Sequence, residues 1–152
     1  MKILEIHISP QHNFFGHYGS PPGTHAIIDL EEVECVAGQG LRGDRFFGYK
    51  ENYQGQITFF AAEVYQELCE HLNIHDKEPK VLRRNVFTRD TNLNGLIGQE
   101  FDLQGIHFEG VAECSPCFWM NDAFGAGAEA YLRGRGGLRA RILSSGLLRV
   151  DK

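Results

Sequence analysis

The sequence predicts a mainly-β domain that also carries two helices. Most of its apolar residues fall in short segments that alternate with polar residues, as in a β-strand, and turn-forming residues separate these segments. A helical period is clear in one place, just after residue 60. With 152 residues, 42% of them hydrophobic, the chain is long enough for one domain, which we expect to span residues 1–152.

Three strands are predicted in the first sixty residues. Residues 2–9 alternate as a half-buried strand, and residues 10–24, rich in Gly, Pro, His and aromatic side chains, predict a long loop. The two faces of that strand are Ile3, Glu5, His7 and Ser9 and, opposite them, Leu4, Ile6 and Ile8. Further strands are predicted at residues 27–36 and 56–60, on either side of a turn-rich stretch at residues 38–45.

The first helix is predicted to begin near Ala61 and to end between Leu72 and Ile74. Its apolar side chains recur at i, i+3, i+4 and i+7, which places them on one stripe. They are Tyr65, Leu68, Cys69 and Leu72. A strand at residues 81–88 and a turn at residues 92–95 are predicted next.

The second half of the chain adds two hairpins and a helix. Residues 100–103 and 106–113 read as two strands joined by Gln104 and Gly105 in a tight hairpin. An Ala-rich helix is predicted from about Asp122 to Leu132, and the glycines of residues 134–137 end it. Residues 138–143 and 147–150 predict a final hairpin across Ser145 and Gly146.

Composition excludes several classes of function. A net charge of −5 argues against a nucleic-acid-binding surface, which needs a basic face. No apolar run approaches the ~20 residues that span a bilayer, and the N-terminus lacks the pattern of a signal peptide, so we expect a soluble, cytoplasmic protein without a membrane partner. Four cysteines are too few for a disulfide scaffold in this setting.

Gly38, Gly40 and Gly43 have the spacing of a dinucleotide-binding loop. That motif requires a helix that opens at the third glycine, and the sequence after Gly43 has no helical period. We therefore interpret residues 38–45 as a turn. Asp44 within it is expected to be structural, because a carboxylate there accepts backbone hydrogen bonds.

Cys114 and Cys117 form a Cys-x-x-Cys pair with three interpretations besides ordinary packing. Structural zinc usually takes two such pairs, and the chain has one. A thioredoxin-like redox pair belongs to a βαβ unit, whereas the neighbouring strands here look antiparallel. The third interpretation makes Cys117 alone a thiolate that binds a soft metal or carries sulfur, in a loop whose backbone Pro116 restricts.

Two arginine clusters are candidates for an anion site. Arg83 and Arg84, followed by Asn85, combine guanidinium groups that match phosphate with an amide. Arg139 and Arg141 share one face of a predicted strand. They belong to a second basic cluster, which consists of Arg133, Arg135, Arg139 and Arg141. Folded together, the two clusters would line one anion pocket, and apart they would be solvated surface.

The predicted N-terminal loop contains histidines and aromatic residues. Imidazole is a common metal ligand, but the spacing of His7, His12, His17 and His25 matches no established motif. His12 and His17 are therefore interpreted first as residues of a polar loop and second as contributors to a site. The aromatic residues from Phe14 to Tyr18 would suit contact with a partner protein.

Six blocks of the sequence, in this order, resemble the MOSC family, which is named for the C-terminal domain of molybdenum cofactor sulfurase. The resemblance covers nearly the whole chain. The blocks are residues 40–45 (Gly-Leu-Arg-Gly-Asp-Arg), 55–59 (Gly-Gln-Ile-Thr-Phe), 83–88 (Arg-Arg-Asn-Val-Phe-Thr), 92–98 (Asn-Leu-Asn-Gly-Leu-Ile-Gly), 116–117 (Pro-Cys) and 135–143 (Arg-Gly-Gly-Leu-Arg-Ala-Arg-Ile-Leu).

The resemblance implies a β-barrel related to one also seen in pyruvate kinase, with the cysteine at Cys117 in a cleft. In members that bind the molybdenum cofactor (molybdopterin), the matching sulfur ligates molybdenum, and basic and amide residues hold the pterin phosphate. Other members carry sulfur to a metal centre. Cys117 would then be the catalytic sulfur or metal ligand, with Arg84, Asn85 and Thr88 as cofactor contacts and Arg83 beside them.

The resemblance suggests a small binder, a sulfur carrier or a reductase component, whose partners would be proteins of molybdenum-cofactor or sulfur transfer. The family is also associated with pyridoxal phosphate, although no lysine here lies in a motif for a Schiff base. Two alternatives are a thiol-disulfide oxidoreductase that uses Cys114 and Cys117 together, and a non-enzymatic module that binds a partner through the aromatic N-terminal loop.

Overall fold

A computed structural model describes residues 1–11 and 26–152 and confirms a mainly-β fold. Within these residues the chain forms ten β-strands and three short α-helices. The strands are β1 (Lys2–Ile8), β2 (Ile28–Leu30), β3 (Glu32–Val36), β4 (Gly40–Leu41), β5 (Ile57–Ala61), β6 (Val86–Arg89), β7 (Glu100–Leu103), β8 (Ile106–Glu113), β9 (Leu138–Ile142) and β10 (Gly146–Arg149). The helices are α1 (Ala62–Leu72), α2 (Trp119–Ala123) and α3 (Ala128–Leu132).

The described strands form two sheets. Seven of them make a curled half-barrel in the order β2-β1-β6-β5-β9-β8-β7, in which β5 and β6 are parallel and the other neighbours antiparallel. The other three make a small sheet in the order β10-β3-β4. No helix of the described part of the chain is long and apolar enough to cross a membrane.

The core has two parts. One cluster of buried side chains joins the large sheet, through residues such as Ile3 and Phe59, to Val33 and Leu148 of the small sheet. The other packs the helices on the large sheet and includes Phe60, Phe87, Leu68 and Leu132. The predicted apolar stripe of α1 lies in or against this second cluster, and the helix ends at Leu72 as predicted, because Asn73 is left-handed.

A β-bulge changes the faces predicted for β1. Ile3 pairs with Thr88 and Glu5 with Phe87, so Leu4 is an extra residue in the ladder. Ile3 consequently joins Ile6 and Ile8 in the inter-sheet core, although strict alternation would put it on the opposite face.

The strand predicted over residues 81–88 is wrong in its first half. Pro79 opens a short 3-10 helix, Pro79–Leu82, and Arg83 ends it in the left-handed region at φ 59°. Strand pairing therefore begins only at Val86, and the side chains of Arg83, Arg84 and Asn85 project from a turn before β6.

Three other predictions of the sequence are corrected. The strand over residues 27–36 is divided between two sheets, because β2 pairs with β1 while β3 pairs with β10. The final hairpin does not form, since β9 pairs with β5 and β8 and β10 pairs with β3. The second helix is split into α2 and α3 at Gly127, which has φ 92°.

The hairpin of β7 and β8 is confirmed, and it predicts a pH-sensitive contact. Gln104 and Gly105 turn it with φ of 53° and 80°. Across it, His107 Nδ1 lies 2.7 Å from Asp102 and Nε2 lies 3.4 Å from Glu100. Hydrogen bonds to Asp102 and then to Glu100 raise the pKa of His107 above its ordinary value of 6.5.

We expect an NMR titration to show this raised pKa and Asp102→Asn to lower it. Because the protonated ring is the paired form, the small stabilisation is complete below the ordinary pKa and is lost as the pH rises through the raised one. Asp76→Asn, at an exposed carboxylate outside this hairpin, is the control and should leave the His107 titration unchanged. A His107 titration that does not respond to Asp102→Asn would contradict the assignment.

Candidate functional site

A cleft of about 270 Å³ lies where the turn after β4, the turn before β6 and the segment after β8 meet. Strands β5 and β9 also reach it through Thr58 and Arg139, which are direct partners in the antiparallel ladder. We call it the arginine cleft. The described residues that line it are Arg45, Phe46, Tyr53, Gly55, Thr58, Arg83, Arg84, Asn85, Cys114, Ser115 and Arg139.

The arginine cleft is a positive region in a protein whose net charge is −5. Four of the described lining residues are arginines and none is acidic. A cleft lined by one sign of charge concentrates the field and attracts ligands of the opposite sign. The cleft is therefore suited to an anion, as the two predicted arginine clusters suggested.

Arg83 is buried, and the Arg45 side chain is only 13% exposed. Burial lowers the pKa of both guanidinium groups, to about 10 in Arg83, and the charge of Arg45 adds to the effect on Arg83. Both groups stay protonated at neutral pH. Arg83 also donates through Nη2 to the carbonyl of Gln11 at 2.9 Å.

Asp44 lies beside these two arginines and holds the turn between β4 and the cleft. Its carboxylate accepts hydrogen bonds from the backbone N–H groups of Ser9 at 2.9 Å and Phe46 at 3.2 Å. Arg45 Nη1 lies 3.5 Å from the same carboxylate. The structural role predicted for Asp44 is confirmed, and the turn has no helix after Gly43.

Arg84 acts mainly on the backbone. Nε donates to the carbonyl of Gly136 at 2.8 Å, Nη1 to Leu82 at 3.0 Å and Nη2 to Cys114 at 3.0 Å. Three of its five N–H donors are thus used inside the protein. Its charge remains at the cleft, and its bonds connect the turn before β6 to the chain after β8.

Asn85 is likewise occupied by internal contacts. Its side-chain oxygen accepts from the N–H and hydroxyl of Thr58, both at 2.9 Å, and its amide nitrogen donates to the carbonyl of His7 at 3.2 Å. It therefore ties β1 and β5 together behind the arginines. Only part of this buried side chain is available to a ligand.

An aromatic wall closes one side of the cleft. Phe46, Tyr49 and Tyr53 form a mutual cluster with ring centroids 4.9–5.4 Å apart. Arg139 donates to the Tyr53 hydroxyl at 3.0 Å, and the Arg45 guanidinium lies 4.4 Å from the Phe46 ring centre. A guanidinium that lies over one face of an aromatic ring can still donate through its own N–H groups. Such a pair therefore suits a planar, anionic ligand.

The two cysteines of residues 114–117, here called the cysteine segment, differ in their surroundings. Cys114 is partly buried and lines the arginine cleft, whereas Cys117 is exposed and does not line it. Both are free thiols. Cys35 and Cys69 are buried in the core, and burial raises the pKa of Cys35 to about 12, so neither resembles a reactive thiol.

Gly136 is packed directly against the cysteine segment. A Cβ at this position would overlap the Cys114 carbonyl oxygen and approach Pro116 Cδ to 2.8 Å. We expect Gly136→Ala to displace the segment and to lower the free energy of unfolding by about 1–3 kcal/mol, the usual cost of overpacking. Gly95→Ala is the matched control, because its Cβ would meet only Asn92 at 3.5 Å or more. Equal urea-unfolding midpoints for the two variants would contradict this packing.

Other predicted site residues lie outside the arginine cleft. Thr88 is fully buried and its hydroxyl donates to the Phe60 carbonyl at 3.4 Å. Arg141 lies in an adjoining cavity and pairs with Glu109 at 2.6 Å. Arg133 and Arg135 pair with Glu129 and Glu67 and do not line it either. Across residues 1–11 and 26–152, no three His, Cys, Asp or Glu side chains are grouped as metal ligands.

Several predictions fall outside the described residues. They concern His12, His17 and His25 and the aromatic residues from Phe14 to Tyr18. His7 is described and is a buried residue of β1, 3.0 Å from Asp29 and outside the arginine cleft.

Sequence reasoning missed Arg45, Tyr53 and Cys114 as residues of the cleft. Arg45 belongs to the block at residues 40–45, which the sequence predicts only as part of a turn. Tyr53 carries no motif, and the resemblance places Cys117 in a cleft, whereas Cys114 is the cysteine that lines this one. The sequence does carry one signal for Arg45. Its guanidinium directly follows Asp44, whose carboxylate has a structural role and lies 3.5 Å from it.

The family model of the MOSC domain matches residues 14–152. That match leaves out only residues 1–13, and it includes every described residue that lines the arginine cleft. A comparison with curated proteins gives no match.

Solved structures with the same fold include the YuaD protein from Bacillus subtilis. It superposes with a TM-score of 0.75 at 15% identity, over 98% of this chain and 91% of that chain. YiiM from Escherichia coli gives 0.65 at 17% identity, over 82% of this chain and 61% of its own. YiiM from Geobacillus stearothermophilus gives 0.63 at 13% identity, over 97% and 70%. At identities this low, the likeness shows the fold alone.

Proposed function

The chain belongs to the MOSC domain family, and from that premise we propose that it binds the molybdenum cofactor or carries sulfur to a metal centre through the thiolate of Cys117. The observation that carries the proposal is the arginine cleft next to the cysteine segment. Four arginines, whose guanidinium groups are suited to a phosphate, line the cleft, and the adjoining segment carries the exposed thiol of Cys117, in a protein whose net charge is −5.

The donor set fits a planar ligand that bears a phosphate. Guanidinium groups match phosphate oxygens in pairs, and within residues 1–11 and 26–152 no backbone carbonyl accepts a hydrogen bond from Arg45 or Arg139. The rings of Phe46 and Tyr53 offer apolar faces beside those cations. A soft thiolate at Cys117 suits a thiophilic metal. The molybdenum cofactor, when bound, would supply the redox-active metal.

The residues of the cleft and of the cysteine segment would have different roles. Arg45 and Arg139 would bind the phosphate, and Arg83 would add charge from the buried side. Arg84 would hold the cysteine segment in place through the carbonyls of Cys114 and Gly136. Cys117, at the exposed end of the segment, would present its sulfur to the metal or to sulfur in transit.

The test is metal and sulfur analysis of protein made in a cofactor-competent host and handled without oxygen. We expect bound molybdenum with pterin, or cyanide-labile sulfur, in the wild type, and at least a tenfold loss in Cys117→Ala. Asp76→Asn is the control, because it changes an exposed side chain outside the arginine cleft and keeps both thiols. The absence of both molybdenum and cyanide-labile sulfur from the wild type would overturn the proposal.

A second readout tests the anion site without the cofactor. We expect inorganic phosphate to bind to the purified chain, and Arg139→Gln to weaken it about tenfold, which corresponds to one charge-assisted hydrogen bond. Arg149→Gln is the control, since Arg149 is an exposed residue of β10 that pairs with Glu32. Equal phosphate affinity in the two variants would remove the arginine cleft from the proposal. The partners implied are proteins that deliver or receive the cofactor or sulfur.

A further inference from the structure

The two thiols of the cysteine segment differ in their exposure to solvent. Cys117 is exposed, while Cys114, three residues earlier, lines the arginine cleft. Burial lowers the pKa of the Arg45 guanidinium, and the nearby Cys114 sulfur offsets a small part of this lowering. One cysteine is thus accessible to a macromolecular donor, and the other faces the anion site.

The backbone of Cys114 is held on both sides. Its N–H donates to the carbonyl of Gly137 at 2.7 Å, and its carbonyl accepts from Arg84 at 3.0 Å. Gly136 leaves room for this arrangement, because any side chain there would overlap the Cys114 carbonyl. A cysteine fixed in this way is suited to deliver an atom to a bound ligand, which requires a constant position.

We propose that the two cysteines form a sulfur relay, in which Cys117 receives a sulfur atom from a persulfide donor and Cys114 delivers it to a phosphate-bearing acceptor in the arginine cleft. This inference rests on the sulfur-carrying form of the proposed function and extends it. It assigns the acceptor side to Cys114, and the acceptor class to anions that Arg45 and Arg139 bind.

The relay is balanced in atoms and electrons. The Cys117 thiolate attacks the outer sulfur of the donor persulfide, the donor's S–S bond breaks, and the donor leaves as a thiolate. The Cys114 thiolate then attacks the outer sulfur of the Cys117 persulfide. A new S–S bond forms at Cys114, and Cys117 leaves as a thiolate. In the last step a nucleophilic atom of the acceptor attacks the outer sulfur on Cys114, a bond forms between the acceptor and that sulfur, the S–S bond breaks, and Cys114 leaves as a thiolate. Every step is a nucleophilic displacement of a thiolate, so no external oxidant or reductant is consumed.

The charge of the cleft gives the relay its direction. A persulfide is an anion at neutral pH, and four guanidinium groups line the cleft that Cys114 faces. Coulombic attraction is stronger there than at the exposed Cys117, where water screens charge. The sulfur is therefore more stable on Cys114 than on Cys117.

The test is a time course with glutathione persulfide as the donor. Samples are quenched with iodoacetamide, and tandem mass spectrometry locates the added sulfur, because fragmentation at the Ser115–Pro116 bond separates the two cysteines. In the wild type we expect the sulfur first on Cys117 and later on Cys114. Cys114→Ser should keep it on Cys117, and Cys117→Ser should load Cys114 at least tenfold more slowly. Asp76→Asn, at an exposed side chain outside the arginine cleft, is the control and should follow the wild type.

Three results would overturn the relay. They are loading of Cys114 in Cys117→Ser at the wild-type rate, sulfur that stays on Cys117 in the wild type, and a Cys114–Cys117 disulfide formed with release of sulfide. Unchanged thermal unfolding and phosphate binding show that each variant is folded. Sulfur on Cys117 that never reaches Cys114 would end the relay and leave the proposed function standing, whereas no sulfur and no molybdenum on the wild type would end both.

Discussion

Asp44→Ala is expected to lower the free energy of unfolding by about 3–5 kcal/mol, the loss typical of breaking a buried charge pair from one side. Asp44 is 6% exposed, and its carboxylate accepts two backbone hydrogen bonds and lies 3.5 Å from Arg45. Its removal leaves the N–H groups of Ser9 and Phe46 without these acceptors. It also leaves the partly buried charges of Arg45 and Arg83 without their nearest anion.

Urea unfolding monitored by circular dichroism measures this loss in the free energy of unfolding. Asp76→Ala is the matched control, because Asp76 is exposed and we expect a change within about 0.5 kcal/mol there. Asp44→Asn should lie between the two, since an amide oxygen still accepts one hydrogen bond but carries no charge. A loss below about 1 kcal/mol in Asp44→Ala would show that the turn does not depend on this carboxylate.

Local structure could be predicted well where a single segment determines it. The hairpin of β7 and β8 follows from two alternating runs and a two-residue turn, and its bounds match. Helix α1 follows from one apolar stripe. Periodicity reports which face of a segment is apolar, and it does so without reference to any other part of the chain.

Pairing between strands could not be predicted, because it depends on partners far along the chain. β9 and β10 are adjacent in sequence and look like a hairpin, but β10 pairs with β3, about 110 residues earlier, and β9 pairs with β5. The bulge at Leu4 is equally invisible, since it exists only relative to β6. A one-residue shift of this kind reverses the faces of all residues on one side of it.

The candidate site shows the same difference between local features, which the sequence predicts, and long-range contacts, which it does not. The sequence identified guanidinium and thiol groups suited to an anion and to sulfur, and the structure brings Arg83, Arg84 and Arg139 together with Cys114. What each group binds depends on distant backbone. The partners of Arg84 at Cys114 and Gly136 are 30 and 52 residues away, so a motif at residues 83–85 carries no information about them.

Arg84→Met is the second substitution with a large expected effect. The methionine fills much of the same space but donates no hydrogen bond, so three carbonyl groups lose a charged donor. Hydrogen bonds to charged groups contribute roughly 1.5–3 kcal/mol each, and solvent recovers part of this at a partly buried site. We expect a loss on the order of 3 kcal/mol.

The effect should extend to the cysteine segment, because Arg84 holds Cys114 through its carbonyl. We expect Cys114 to react with iodoacetamide at least tenfold faster in Arg84→Met than in the wild type, while exposed Cys117 changes little. Arg84→Lys should restore part of the stability, since one ammonium reaches fewer carbonyls than a planar guanidinium. Arg149→Met, at an exposed arginine paired with Glu32, controls for the loss of one positive charge. Unchanged Cys114 reactivity in Arg84→Met would show that Gly136 and Gly137 alone fix the segment, and that Arg84 contributes only its charge to the arginine cleft.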